Sequence, residues 1–172
     1  MRKEFLIRQA RMDDSKKLSI LYKQVYIQTY GLEGVSDEFA NFITKQFSIE
    51  RLEDSIHTEP DAILVAEYKN NLVGVLEIDF DKECPIGNFV APELNKIYIL
   101  EWFCGKGIGN LLIEKAENML KQRGCKKVWL WLLESNERAY QFYKKHNYAT
   151  IGKAPFVMEA NTYTNLVMSK NL

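Results

Sequence analysis

The sequence carries no surplus of charge, since 23 lysines and arginines balance 23 aspartates and glutamates. A general nucleic-acid binder should show a basic excess, so that class is set aside. Cysteine is scarce: Cys84, Cys104 and Cys125 are odd in number and lack metal-ligand spacing. This argues against a disulfide framework or a metal site, and for the reduced setting of the cytoplasm. No apolar run reaches membrane-spanning length, and the charged start MRKEFLIRQ lacks a long apolar segment, so a soluble protein with no membrane partner is expected. Repeats, linkers and low-complexity tracts are missing as well. With 172 residues, enough to bury a core without staples, residues 1–172 are expected to form one domain.

What is present centres on Leu94 to Gly124, an apolar run, a glycine-rich turn and an amphipathic helix. Ile97-Tyr98-Ile99-Leu100 is too short for a helix and rich in β-branched and aromatic residues, and so reads as a buried strand. Gly105, Gly107 and Gly109 follow, small enough for backbone amides to approach a ligand that a Cβ would hold off. From Ile108 the helix places Ile108, Leu111, Leu112, Ala116, Met119 and Leu120 on its apolar side. Asn110, Glu114, Glu117, Asn118 and Lys121 fall on the polar side, and Gly124 supplies the stop. Glycine-rich amides feeding a helix N-terminus make an anion site, which suggests a phosphate-bearing ligand. A tight turn that binds nothing is the other reading. No Walker sequence follows Gly109, and the GxGxG spacing is not a dinucleotide fingerprint.

Along the chain, Phe5 to Gln9 reads as a first strand, with Asp13 or Asp14 capping a helix whose stripe is Leu18, Leu21, Tyr22, Val25 and Tyr26. Ser36 to His57 reads as two helical pieces capped by Ser36 and Ser48, with Phe39, Phe42, Ile43 and Phe47 facing inward. Ala62 to Tyr68 and Leu72 to Asp79 form a hairpin around Lys69-Asn70-Asn71. Asp79 to Asn88 reads as a polar loop without calcium-loop spacing. Val128 to Leu133, apolar on both faces, is a central strand. Ser135 or Asn136 starts a short helix with Ala139, Phe142, Tyr143 and His146 inward, and two strands follow around Pro155 to Glu159 and Tyr163 to Ser169. The order predicts an α/β fold (α+β), a mixed, mostly antiparallel twisted sheet of about seven strands with helices on both faces.

Two stretches resemble the GNAT superfamily of acyl-CoA-dependent N-acetyltransferases. Cys104-Gly105-Lys106-Gly107-Ile108-Gly109 is similar to its (Gln/Arg)-x-x-Gly-x-(Gly/Ala) pyrophosphate loop, and Asn136 to Tyr148, NERAYQFYKKHNY, is similar to its N-x-x-A-x-x-F-Y-x-x-x-G-F motif. The finer pattern, NKIYI, KKVWLWLLESNERAYQFYKKHNY and the terminal TNLVMSK, looks most like the bacterial PaiA-type spermidine/spermine N-acetyltransferases. Two positions depart from the motifs. Cys104 stands where Gln or Arg supports the phosphate loop, leaving the work to the amides. Asn147 replaces a glycine after the last helix, and asparagine is at ease in the left-handed conformation needed there.

The resemblance implies acetyl-CoA as cosubstrate, no metal, and direct transfer to a small-molecule amine in a ternary complex. Ile97, Tyr98 and Ile99 would pair with the pantetheine arm, and Gly105, Lys106, Gly107, Ile108, Gly109 and Asn110 would take the pyrophosphate. A backbone N–H of the Ile97 to Leu100 strand could polarise the thioester carbonyl. Asn136 would contact pantetheine and Tyr143 would protonate the departing thiolate. Glu93 is the first candidate base, with Glu77 and Glu101 as rivals. For a cationic acceptor, Glu33, Asp37 and Trp102, with Tyr98 and Glu38, could supply charge and cation–π contact, although solvated carboxylates and core aromatics explain the same residues. Lys121, Arg123, Lys126 and Lys127 could reach the ribose phosphate of coenzyme A, or simply suit a helix C-terminus. Rival readings are transfer to a protein N-terminus or lysine, and a silent acyl-CoA sensor. A homodimer is the candidate assembly.

Overall fold

Seven strands hydrogen-bond in the order β1-β2-β3-β4-β5-β7-β6 in the computed structural model, which describes residues 5–158 and 161–172. The strands are β1 (Leu6–Gln9), β2 (Ile63–Tyr68), β3 (Asn71–Glu83), β4 (Val90–Ile99), β5 (Lys127–Leu133), β6 (Ala149–Met158) and β7 (Asn161–Asn171). The helices are α1 (Ser15–Tyr30), α2 (Asp37–Gln46), α3 (Ile49–Thr58), α4 (Ile108–Gln122) and α5 (Glu137–Lys145). The sheet is mixed and mostly antiparallel, with β4 and β5 parallel and Glu93 opposite Trp129. Two compact units make up the chain: Met1–Glu77 with Lys96–Ala116, and Ile78–Asn95 with Glu117–Leu172.

In the first unit the hairpin turns where expected. Lys69 and Asn70 both have positive φ, 49° and 63°, and Tyr68 faces Asn71 across the turn. Two left-handed residues give a turn whose twist matches that of the strands. The α1 stripe is buried throughout, from Leu18 to Tyr26. Ser36 and Ser48 cap α2 and α3, each accepting a hydrogen bond from the amide three residues on. Ile43 and Phe47 are buried, while Phe39 and Phe42 are half-buried against the Tyr26 ring.

The start of α1 refines the sequence reading. Asp14 holds the N-cap position of α1, as one of the two expected residues, but its side chain makes no capping bond there. Asp14 ends a 3-10 turn, Met12–Asp14, and accepts from the Arg11 amide. Its carboxylate also binds Lys17 at 3.0 Å and Arg8, whose two terminal nitrogens sit 2.6 and 3.1 Å from its oxygens and which also binds Glu67 at 2.8 Å. Burial alone would raise the Asp14 carboxyl, but the bonds from Arg8, Lys17 and the Arg11 amide overcome it and hold it well below the usual carboxylate range. A carboxyl depressed by folding stabilises the protein above its unfolded value near 3.8, and that contribution is lost as pH falls toward the lower folded value. Breaking a buried pair costs about 3 kcal/mol at the low end, which suits a site where Glu67 still holds Arg8. Asp14→Asn is therefore expected to lose about that much in urea unfolding at pH 7. The deficit against wild type should shrink at pH 3; a constant deficit would mean that the ionised carboxylate is not what matters.

In the second unit β3 runs on through Glu83, so Asp79 to Glu83 is strand and not loop. Polar composition misled here. Asn95 donates to Asp79 at 2.7 Å, and the Arg123 guanidinium lies 4.2 Å from the centre of the Phe80 ring, so those side chains have partners. The connection itself is Cys84 to Phe89, closed by the Cys84 N–H to Phe89 carbonyl bond, with left-handed Gly87 and Asn88 inside it. β5 is sealed at Val128, Trp129, Leu130 and Leu132, and the Trp129 indole donates to the Ala91 carbonyl. β6 and β7 are longer than predicted; Glu159, the predicted end of the sixth strand, lies outside the described residues. The three cysteines are free.

The buried arc of α4 also differs from the predicted stripe. Ile108, Leu112, Ile113, Ala116, Glu117 and Leu120 are buried, while Leu111 is 40% exposed. The arc is rotated by about one residue, and an acid sits inside it because partners far along the chain neutralise it.

Candidate active site

The first unit holds the strand, turn and helix start singled out in the sequence. Ile97, Tyr98 and Ile99 close β4 and are half-buried, in contrast to the sealed β5. Gly74 on β3 lets this strand come close, since a Cβ there would stand 3.3 Å from Ile99 Cγ1, Ile108 Cγ2 and the Tyr98 carbonyl. A 3-10 turn, Glu101–Phe103, follows and sets Cys104 Sγ 3.7 Å from the Ile99 carbonyl oxygen. Gly105 and Gly107 then take φ of 73° and 85°, and a Cβ on either would meet no protein atom within 4 Å. Such left-handed backbone with open space beyond it is where a ligand's phosphates can approach amides. Gly109 is not part of the turn but lies buried in the first turn of α4. Ile108 and Gly109 open the helix ahead of its first i to i−4 bond, from Leu111 N–H to the Gly107 carbonyl, so their amides point along the helix start. The Lys106 ammonium bonds to the Trp102 carbonyl and lies 5.0 Å from the Phe103 ring centre, which folds its side chain back over the 3-10 turn.

The second unit holds α5. Asn136 caps it, its Oδ1 accepting from the Ala139 amide at 3.1 Å. His146 and Asn147 end it, with Asn147 at φ 65° as its replacement of glycine requires. Tyr143 is 8% exposed, its ring edge-on to Phe142 and to Tyr148 at 5.3 and 5.6 Å between centres. Tyr148 in turn donates from its hydroxyl to Glu117 at 3.0 Å, and Lys170 reaches both Glu117 oxygens at 2.7 Å. Burial first, then the Glu117 charge and hydrogen bond, push the Tyr148 hydroxyl far above the usual phenol range. Sequence reading missed this cluster, because its members are 31 and 53 residues apart and Glu117 looks like a solvated face.

The three candidate bases differ in setting. Glu93 is buried in β4 beside the parallel pairing with β5. Glu77 is buried too, but accepts from the Tyr22 hydroxyl at 2.7 Å and faces Lys96 at 3.3 Å and Arg51 at 3.8 Å. Its oxygens are engaged by a hydroxyl and two cations. Glu101 is exposed in the 3-10 turn. Of the acceptor candidates, Trp102 is 87% exposed, Glu33 is exposed before α2, and Asp37 lies exposed in the first turn of α2. Tyr98 is edge-on to Tyr22 at 5.7 Å. Among the cations considered for phosphate, Lys127 packs on the Phe89 ring at 4.4 Å and Arg123 on Phe80, so both have a structural role at hand. No cluster of potential metal ligands occurs among the described residues.

A seven-stranded mixed sheet carries a left-handed glycine turn at the start of α4. Residues 32–148 match the model of the acetyltransferase (GNAT) family, and the chain belongs to that family. Relatives agree. An uncharacterized N-acetyltransferase of Lactobacillus delbrueckii subsp. lactis is 24% identical over 92% of each chain, and another of Chlorobaculum tepidum is 29% identical over 87% of this chain and 79% of that one. Among solved structures, the PaiA N-acetyltransferase of Thermoplasma acidophilum in complex with coenzyme A has TM-score 0.74 at 20% identity, covering 98% of this chain and 99% of that one. At that identity the likeness concerns the fold.

Proposed function

We propose that this N-acetyltransferase moves the acetyl group of acetyl-CoA directly onto a primary alkylamine of the polyamine class, such as spermidine or spermine. The observation that carries the acetyl-CoA part is the turn itself, where Gly105 and Gly107 adopt left-handed backbone with room beyond them ahead of α4. In the first unit the backbone of Ile97, Tyr98 and Ile99 pairs with the pantetheine arm, and the amides of Gly105 to Asn110 take the pyrophosphate. In the second, Asn136 orients pantetheine with the part of its amide that does not cap α5, and Tyr143 gives its proton to the thiolate as the C–S bond breaks. The polyamine part is supported by the PaiA-like sequence pattern of NKIYI, KKVWLWLLESNERAYQFYKKHNY and TNLVMSK. A cytoplasmic location goes with it, for which the free cysteines are the support.

Bound acetyl-CoA supplies an acyl group activated as a thioester. The amine must attack as its neutral form, and a primary amine of pKa ~10.4 costs roughly 4 to 5 kcal/mol to deprotonate at pH 7. Glu93, buried in β4, is the base that offsets part of this, directly or through water. Holding two substrates in line supplies more, up to ~7 to 11 kcal/mol at the favourable limit. The test is a panel of spermidine, spermine, amino acids and short peptides with acetyl-CoA, read by thiol release. Turnover of a polyamine well above the rest is expected; turnover of peptides alone would move the acceptor to a protein N-terminus or lysine.

A further inference from the structure

Tyr143 and Tyr148 meet at the end of α5 with their rings in a T-shaped contact, and the Tyr148 hydroxyl is held by a carboxylate. The Tyr148 N–H donates to the Tyr143 carbonyl at 3.0 Å, so the two residues share a backbone bond as well as a ring contact. The Tyr148 hydroxyl is held by Glu117 from α4, Glu117 by Lys170 from β7, and the Lys170 ammonium lies 5.5 Å from the centre of the Tyr148 ring. Tyr148 is 3% exposed and Glu117 7%, so the carboxylate is an acid taken out of water and kept there by two partners. That arrangement is hard to justify by packing alone, because an apolar residue at position 117 of a buried helix face would fill the space without any charge to compensate. What the cluster does is fix a ring. Helix α4, strand β7 and the segment after α5 are joined at the Glu117 carboxylate, and a phenylalanine at position 148 would lose the hydrogen bond to it.

We infer that Glu117, Tyr148 and Lys170 are positioning residues for Tyr143. Tyr148, held by Glu117 and through it by Lys170, keeps a fixed T-shaped contact with the Tyr143 ring, and this sets where the Tyr143 hydroxyl points. The inference rests on the reading of Tyr143 as the proton donor. Tyr148 does not compete for that role, because its own proton is committed to Glu117.

The test is a double-mutant cycle on the full chain with acetyl-CoA and spermidine, supplemented by spermine and a short peptide. Tyr148→Phe is expected to lower kcat roughly ten- to a hundredfold, as loss of alignment does, with KM for both substrates within about twofold. Glu117→Gln, which keeps an acceptor for the hydroxyl but loses the pair with Lys170, should fall between Tyr148→Phe and wild type. In the Tyr143→Phe background the same Tyr148→Phe change should cost nothing further, since the hydroxyl it aims is gone. Melting temperatures separate the effect from folding. A Tyr148→Phe protein that melts lower but keeps wild-type kcat overturns the inference, and so does an equal loss in both backgrounds. If Tyr143→Phe itself keeps wild-type kcat, the fault lies in the donor assignment and the positioning role falls with it.

Discussion

Tyr143→Phe is expected to reduce kcat by about a hundred- to ten-thousandfold, the range of a general acid removed from a transition state. Acetyl-CoA affinity should change little. The reasoning starts from burial: Tyr143 sits on the inner side of α5, capped at one end by Asn136 and closed at the other by left-handed Asn147. Deleting one oxygen from such a ring leaves its packing on Phe142 and Tyr148 intact, so the helix and whatever it holds should survive. A parallel loss of binding and turnover, seen by calorimetry beside steady-state kinetics, would instead assign the hydroxyl a structural part.

Gly107→Ala carries the second large effect, and the structure provides its own control. Gly107 and Gly124 share nearly the same backbone, φ 85° and 81°, and a Cβ on either meets no protein atom within 4 Å. Placing alanine in left-handed backbone costs roughly 1 to 2 kcal/mol at either end of α4, so both variants should lose similar stability. Only Gly107→Ala puts a methyl where phosphates are proposed to meet amides. Acetyl-CoA binding is expected to weaken by about tenfold or more, ~1.4 kcal/mol, in that variant and to stay at the wild-type level in Gly124→Ala. Equal affinities in the two would show that the turn is only a turn.

The features that the sequence made legible are local ones. The Lys69-Asn70 turn, the Ser36 and Ser48 caps, the left-handed Asn147 and the glycine turn before α4 each depend on a few adjacent residues, whose preferences are strong and short-ranged. Where reading went astray, a distant residue had changed the meaning of a near one. Asp14 takes the N-cap position of α1, but its carboxylate goes to Arg8 and not to the helix amides. The polar stretch after Asp79 looked like a loop because its partners Asn95 and Arg123 arrive from elsewhere. Glu117 looked solvated because nothing near it announces Lys170 or Tyr148. The same limit explains the proposed site: the residues proposed to take the pyrophosphate sit within one turn, whereas those inferred to position Tyr143 come from α4, β7 and the segment after α5 and are joined only by folding.

The central claim, direct transfer from acetyl-CoA to the amine, is tested most directly by initial rates with acetyl-CoA and spermidine both varied. The account predicts double-reciprocal lines that intersect, because both substrates are held together before the C–S bond breaks. Parallel lines, the sign of an acetyl group first passed to the enzyme, would contradict it.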